Sequence, residues 1–334
     1  MKRHGKLWGQ IVDLDNIKAA HNAARRGKAY YTEVKMVDSD VDRYAKEIQS
    51  MLVNKTFRTS EYQIEQRSDG RKIRTIHKLP YYPDRIVQHA LLNILGPILA
   101  ASFIRDSFQS IVGRGTSDAM HRVRSLVSEQ KPKFALKVDV EKYYPSIDNC
   151  ILKQEIRRKI KCADTLWLID DIVNSSVGLP IGNYTSQHFG NLYLNRFDWW
   201  MKQEVKPVGY FRYCDDIVVA GNSRHDLVRL RQEIASKLHG LGLKVKPTWC
   251  IYNVPAQGID FVGYVFRHQT TRLRTSIADK FKSACKRIKA PTDSNRSKLM
   301  AYKGWCRSVN AKTLWRRNTR PLSSLFSKQL RHGI

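Results

Sequence analysis

A chain of 334 residues with 59 Lys plus Arg against 30 Asp plus Glu carries a formal net charge of +29, and 42% of its residues are hydrophobic. That apolar content excludes a wholly disordered chain and suffices for a sizeable core, in roughly two domains or one with appendages. The positive excess points to a polyanionic partner, nucleic acid first.

No stretch reaches the roughly 20 apolar residues of a spanning helix; residues 90–101 come nearest and are interrupted by Asn93, Gly96 and Pro97, so no membrane partner is expected. The basic N-terminus runs into Asp13 and Asp15 without an apolar segment. No secretory signal is therefore expected, and the expected compartment is the cytoplasm. Cysteines 150, 162, 214, 250, 285 and 306 form no C-x-x-C pair, which predicts reduced thiols rather than a zinc site or a disulfide framework.

In chain order, Val41, Tyr44, Ile48 and Leu52 fall at helical spacing and predict a packed helix over 41–52. Residues 57–79 read as two β-strands around Ser68-Asp69-Gly70, a hairpin signal, with Arg71, Lys72, Arg74, His77 and Lys78 on the second strand. Residues 84–101 read as an apolar helix, and 116–127 as another, capped by Thr116 or Ser117. Residues 134–140 have the texture of a buried strand that ends at Asp139. A helical stretch is expected over 151–173, then a glycine-bearing loop, GLPIGN, that runs into an amphipathic helix. FRYCDDIVVAG, residues 211–221, reads as an apolar hairpin with Asp215 and Asp216 at its tip.

The final seventy residues hold 18 Lys plus Arg and only Asp279 and Asp293 as acids. Phe281, Tyr302, Trp305, Trp315 and Phe326 are interleaved with those cations, which predicts a folded basic helical module with an aromatic core, beginning near residue 268.

Acids on apolar strands are costly to bury unless a cation or hydrogen bonds meet them. Structural ion pairs are one explanation for Asp139, Asp215 and Asp216. The other is a ligand set: strand neighbours lie about 5 Å apart, so pairing the two strands would bring Asp139 beside Asp215. Hard oxygen ligands suit Mg²⁺, and with a nucleic-acid partner the chemistry is phosphoryl transfer with two metals about 4 Å apart. The carboxylates would then be ligands, not general bases.

These residues resemble a known family. Tyr213-Cys214-Asp215-Asp216 is similar to the Y-x-D-D box of reverse transcriptases, Lys137-Val138-Asp139 with Tyr143-Tyr144 to their first catalytic motif, and Ile181-Gly182-Asn183-Tyr184-Thr185-Ser186-Gln187 occupies the place of Q-G-x-x-x-S-P. Arg74-x-Ile and Asp84-Arg85-Ile86-Val87-Gln88 resemble the fingers of the group II intron lineage, so the likeness spans roughly residues 55–265. Ile181 and Gln187 depart from the usual Gln and Pro, and this I-G-x-x-x-S-Q form is similar to that of diversity-generating retroelement reverse transcriptases.

The resemblance implies an α+β right-hand polymerase: an N-terminal basic helical extension (1–54), fingers with part of the palm (55–133), a palm of antiparallel strands with helices behind it (134–268) and a small basic helical thumb (269–334). It implies Asp139, Asp215 and Asp216 as catalytic ligands of two Mg²⁺ ions, with the Val140 carbonyl as a further ligand. Lys72 and Arg74 would meet the triphosphate of a dNTP, Tyr144 would act as an aromatic steric gate, and Ile181 and Gly182 would lie beside the nucleotide. Ser186 and Gln187 would position template or primer, unless they cap the following helix, and Gly263 and Tyr264 belong to a segment that resembles the primer grip. The pyrophosphate acid stays open, with Lys244 and Lys246 both slightly upstream of its usual place; His188 and His225 read as structural. The subfamily implies error-prone copying of a template RNA into cDNA, with errors opposite adenines, helped by a basic, oligomeric accessory variability protein. The alternatives are a group II intron, retron or CRISPR-type reverse transcriptase, and a non-catalytic RNA-binding scaffold.

Overall fold

A computed structural model describes residues 3–69 and 72–326, without the side chains of Asp69 and Lys72. Helices α1 (Trp8–Ile11), α2 (Leu14–Ala24), α3 (Thr32–Asp38) and α4 (Val41–Val53) open the chain. The Asp13 carboxylate accepts from the N–H groups of Asp15 and Asn16, and that of Asp40 from Arg43, so α2 and α4 start where side chains satisfy their first free donors. The hairpin follows as β1 (Gln63–Asp69) and β2 (Lys72–Lys78), in an uninterrupted antiparallel ladder from Gln63 opposite Lys78 to Asp69 opposite Lys72. Of the expected turn Ser68-Asp69-Gly70, Ser68 and Asp69 belong to β1 instead, and Gly70 lies outside the described residues, as does Arg71, expected on the second strand.

Helix α5 (Ile86–Ala100) is apolar nearly all round and runs through the middle of the core, against α2 and α9 (Tyr184–Tyr193). Its buried Leu91, Leu92, Leu95 and Leu99 each contribute about 1.5–3 kcal/mol by leaving water. Helix α6 (Thr116–Gln130) starts at the residue the sequence suggests, but the cap differs: Gly115 holds the N-cap position and no side chain caps the helix. The Thr116 hydroxyl instead lies 3.4 Å from that of Tyr213.

A five-stranded sheet forms the centre, in the order β3-β5-β6-β4-β7, with β3 (Ser107–Phe108), β4 (Phe134–Asp139), β5 (Gly209–Tyr213), β6 (Asp216–Gly221) and β7 (Cys250–Asn253). All its pairings are antiparallel except β3 with β5. Strand alternation sorts the residues: Leu136, Val138, Tyr210, Ile217 and Val219 join the large core, whereas Ala135, Phe211 and Val218 pack with Ala119, Met120, Val123 and Val127 of α6. Asp139 and Asp216 continue that second face.

The single helix expected over 151–173 is two, α7 (Asn149–Arg157) and α8 (Ala163–Asn174). The break has a tertiary cause. His4 pairs with Ile160 as a parallel bridge, its N–H donating to the Lys159 carbonyl at 2.7 Å and its carbonyl accepting from Lys161 at 2.8 Å. Helix α10 (Asn195–Trp200) follows α9, and α11 (Arg224–His239) follows the β5–β6 hairpin.

A three-stranded sheet, β10-β9-β8, made of β8 (Ile259–Phe261), β9 (Tyr264–Phe266) and β10 (Thr271–Leu273), leads into α12 (Thr275–Arg287), α13 (Asp293–Ser308) and α14 (Lys312–Thr319). The basic module has its own core of Phe281, Cys285, Leu299, Trp315 and Phe326, in which the Phe281 and Trp315 rings stack at 5.6 Å. Trp305, expected in that core, packs instead on Tyr264 at 5.1 Å and joins the module to the sheet. All six cysteines are free thiols. No helix among the described residues is long and apolar enough to cross a membrane.

Candidate active site

The β4–β6 register sets Asp139 opposite Asp216, and Asp215, expected beside Asp139, adjoins it from the turn. Asp215 occupies the β5–β6 turn, where Cys214 has φ +59°, and its carbonyl accepts from Val140 N–H at 3.2 Å. The three carboxylates thus gather where β4 ends and the hairpin turns, their side chains 35%, 38% and 25% exposed for Asp139, Asp215 and Asp216.

Lysines supply the counter-charge. Lys246 Nζ lies 2.5 Å from Asp139 Oδ1 and 4.0 Å from Asp215 Oδ2, and Lys137 Nζ lies 3.0 Å from Asp216 Oδ2. Burial, ahead of the charge of Asp139, raises the pKa of Asp215; burial pushes Asp216 up to about 6 against the pull of Lys137. Asp216 Oδ1 is buried without a hydrogen-bond partner. Among the described residues no three His, Cys, Asp or Glu converge as metal ligands around one point. The donor set itself, carboxylate oxygens that for Asp215 and Asp216 are ionised at a cost and one of which lacks a partner, fits a hard divalent cation.

Beside the carboxylates, a pocket of about 170 Å³ is lined by Arg85, Tyr144, Ile181, Gly182, Ser186 and Gln187 among others. It therefore collects five of the residues singled out from the sequence. The Tyr144 hydroxyl accepts from Cys214 Sγ at 3.2 Å, which links this ring to the Asp215 turn. Burial raises the Tyr144 pKa well above the usual phenol range, so the ring stays neutral.

Gly182 has φ +138°, and a Cβ there would overlap the His77 carbonyl oxygen. The loop backbone thus comes hard against strand β2 at this glycine, where His77 N–H also donates to the Ile181 carbonyl at 2.8 Å. Ser186 is buried and donates to the Pro180 carbonyl at 2.7 Å, closing the loop on itself. Asn183, not Ser186 or Gln187, holds the N-cap position of α9. The exposed Gln187 accepts from the Ser110 hydroxyl.

Arg74 is exposed on β2 with Arg67 as its ladder partner. Lys72 opens that strand, but its side chain lies outside the described residues. Gly263, at φ +88°, turns β8 into β9, where a Cβ would stand 2.6 Å from Trp305; its carbonyl accepts from Arg274 N–H at 2.9 Å. Tyr264 is buried in the same joint. His188 is part-buried beside Tyr184, and His225 is exposed next to Asp226.

Sequence reasoning left one contributor unresolved and missed two. Lys246 could be separated from Lys244 only by the Val140–Val245 bridge, which aims it at Asp139. Arg85, quoted only as part of a motif, lines the pocket with its Nε buried and unpartnered. Arg212, in a stretch read as apolar, is wholly buried: it binds both oxygens of Asp198 at 2.8 and 2.6 Å, Asn191 Oδ1 at 3.2 Å, Ser107 Oγ at 2.9 Å and the Cys214 carbonyl at 3.0 Å.

A sequence model of the family described as reverse transcriptase (RNA-dependent DNA polymerase) matches residues 65–266. Among curated proteins none matches. Solved structures that resemble the chain include apo telomerase from Candida tropicalis (TM-score 0.52, 13% identity, 85% of this chain and 64% of that one). Telomerase from Candida albicans in complex with a TWJ fragment of telomeric RNA is also similar (TM-score 0.53, 12% identity, 89% of this chain and 61% of that one). The chain spans less than two thirds of the length of these structures. At such identities the likeness shows the fold, a right-hand polymerase with mixed helices and sheets, as the sequence implied.

Proposed function

Because this chain belongs to the reverse transcriptase (RNA-dependent DNA polymerase) family, we propose that it copies a template RNA into DNA at the Asp139, Asp215 and Asp216 cluster. The observation that carries this reading is the register that sets Asp139 opposite Asp216 with Asp215 in the adjoining turn, on a chain of net charge +29.

In this reading the three carboxylates, with the Val140 carbonyl, would hold two Mg²⁺ ions, which would supply activation of the 3′-hydroxyl and charge stabilisation of the pyrophosphate. The chain's own residues do the rest. Lys246 and Lys137 limit repulsion among the carboxylates before substrate arrives. Arg74, Lys72 and Arg85 meet the triphosphate, since guanidinium forks match phosphate oxygens. Tyr144, neutral and tied to Cys214, floors the sugar site and excludes a 2′-hydroxyl. Ile181 and Gly182 border the base pair, Ser186 and Gln187 the template, and Gly263 and Tyr264 the primer. Segments 55–133, 134–268 and 269–334 act as fingers, palm and thumb behind the extension 1–54.

The finer reading is diversity-generating retrohoming with adenine-directed errors and a basic, oligomeric accessory protein. Its support is the I-G-x-x-x-S-Q form: Ile181 brings no side-chain hydrogen bond to the pocket where the family has Gln, a loosening in the direction of low fidelity.

The test is dNTP incorporation on an RNA template with Mg²⁺, native chain against Asp215→Asn/Asp216→Asn, with the product sequenced. Expected are metal-dependent synthesis, its loss in the variant, and errors clustered opposite template adenines. Synthesis undiminished in the variant would overturn the site, and accurate copying would overturn the mutagenic reading alone.

A further inference from the structure

At the far end of β4 from Asp139, about 17 Å along the strand at some 3.3 Å per residue, a second cleft of about 450 Å³ opens. It lies between α6, the β9–β10 turn and the α13–α14 turn. Arg124, Arg267, Arg307, His268, Thr270 and Thr271 line it, and among the described residues no carboxylate does. The walls are fixed. Arg124 Nη2 donates to the Ser308 carbonyl at 2.7 Å, His268 Nε2 lies 2.9 Å from the Pro132 carbonyl, and Arg267 N–H donates to the Thr270 carbonyl at 2.7 Å. Yet the Nε groups of both Arg124 and Arg267 are buried with no partner.

A buried donor left unpaired costs about 1–3 kcal/mol, and gathered guanidinium groups repel one another. An oxyanion relieves both costs, and phosphate matches the guanidinium fork best. Among the described residues the cleft has no Phe, Tyr or Trp on which a base would stack, so its selectivity is for the anion. One wall belongs to the basic C-terminal module, where a polyanionic backbone is drawn in.

We propose that this cleft binds a phosphate of a nucleic-acid backbone, as an anchor separate from the carboxylate centre. This rests on the reading that the chain handles nucleic acid. The shared chemistry is phosphate, and the experiment separates a backbone phosphodiester from a free phosphate.

Binding of a labelled RNA–DNA hybrid to the full chain is measured across salt concentrations. Arg267→Gln/Arg307→Gln is compared with Lys35→Gln/Lys46→Gln, which removes the same charge from exposed positions on α3 and α4. The cleft variant is expected to lose about tenfold in affinity and to flatten the slope of log affinity against log salt by about 0.7–0.9, one phosphate contact; the control leaves the slope unchanged. Arg307→Glu, at an exposed position, reverses one charge without touching the core and should weaken binding likewise. Native-like affinity and slope in both cleft variants overturn the anchor. If inorganic phosphate then raises the melting temperature of the native chain but not of the variant, the site is a free-phosphate site and the backbone assignment falls. Failure of the native chain to bind the hybrid at all would strike the functional reading, and the phosphate titration would still decide whether the cleft takes an anion.

Discussion

His89 is stacked on Tyr184, ring centroids 3.7 Å apart, beside the 170 Å³ pocket. Burial first, then Arg85, Lys28 and His188, lowers its pKa to about 4. The folded chain keeps this ring neutral, while the unfolded chain protonates it near pH 6.5. Its contribution is therefore whole above pH 6.5 and is lost as the pH falls toward 4, to a total of about 3 kcal/mol at 1.36 kcal/mol per pKa unit. His89→Phe keeps a ring to stack and removes the proton site. In urea titrations the stability of the native chain relative to this variant should drop by about that amount between pH 6.5 and 4, and a constant difference would refute the assignment.

Single residues also show what the sequence makes legible. Adjacent acids in an apolar run mark Asp215 and Asp216 without any tertiary knowledge, and a strand ending in acid marks Asp139. Which of the pair faces Asp139 depends on register, which alternation does not fix. Lys246 lies 107 residues from Asp139; nothing local distinguishes it from Lys244.

At the scale of elements, the buried Arg212 joins β5 to β3, α9 and α10 and holds the carbonyl of Cys214 just before Asp215. Both it and Asp198 are wholly buried. Arg212→Met, which strands the Asp198 charge, should cost about 3–5 kcal/mol, whereas Arg212→Met/Asp198→Leu should regain most of that. The regained stability should come without regained turnover, because the Cys214 carbonyl loses its anchor in both variants. Melting curves read the first effect and single-nucleotide incorporation the second; a fully active double variant would show that the turn needs no such anchor. The same scale explains the misread elements. Periodicity over 151–173 runs on through a break imposed by His4, and Trp305 lies among the aromatics of the C-terminal module in sequence but packs on Tyr264 of β9. Partners distant in sequence made those choices.

For the whole molecule, the excess of positive charge predicts binding dominated by phosphate contacts. Affinity for unrelated RNA sequences should fall together, by about a thousandfold or more between roughly 50 and 200 mM salt if six or more phosphates are neutralised. Filter binding across a salt series checks this, and a shallow dependence would mean that few of the 59 cationic side chains meet the ligand. The large core, reaching from Leu7 to Leu243, holds the N-terminal helices, α5 and the five-stranded sheet as one body, while the C-terminal module keeps a separate core. Against that body, the β1–β2 hairpin is tied to the pocket loop where His77 meets Ile181 and Gly182. It is a lever whose short arm is the pocket wall: any swing of the hairpin is transmitted as a change in the width of that pocket.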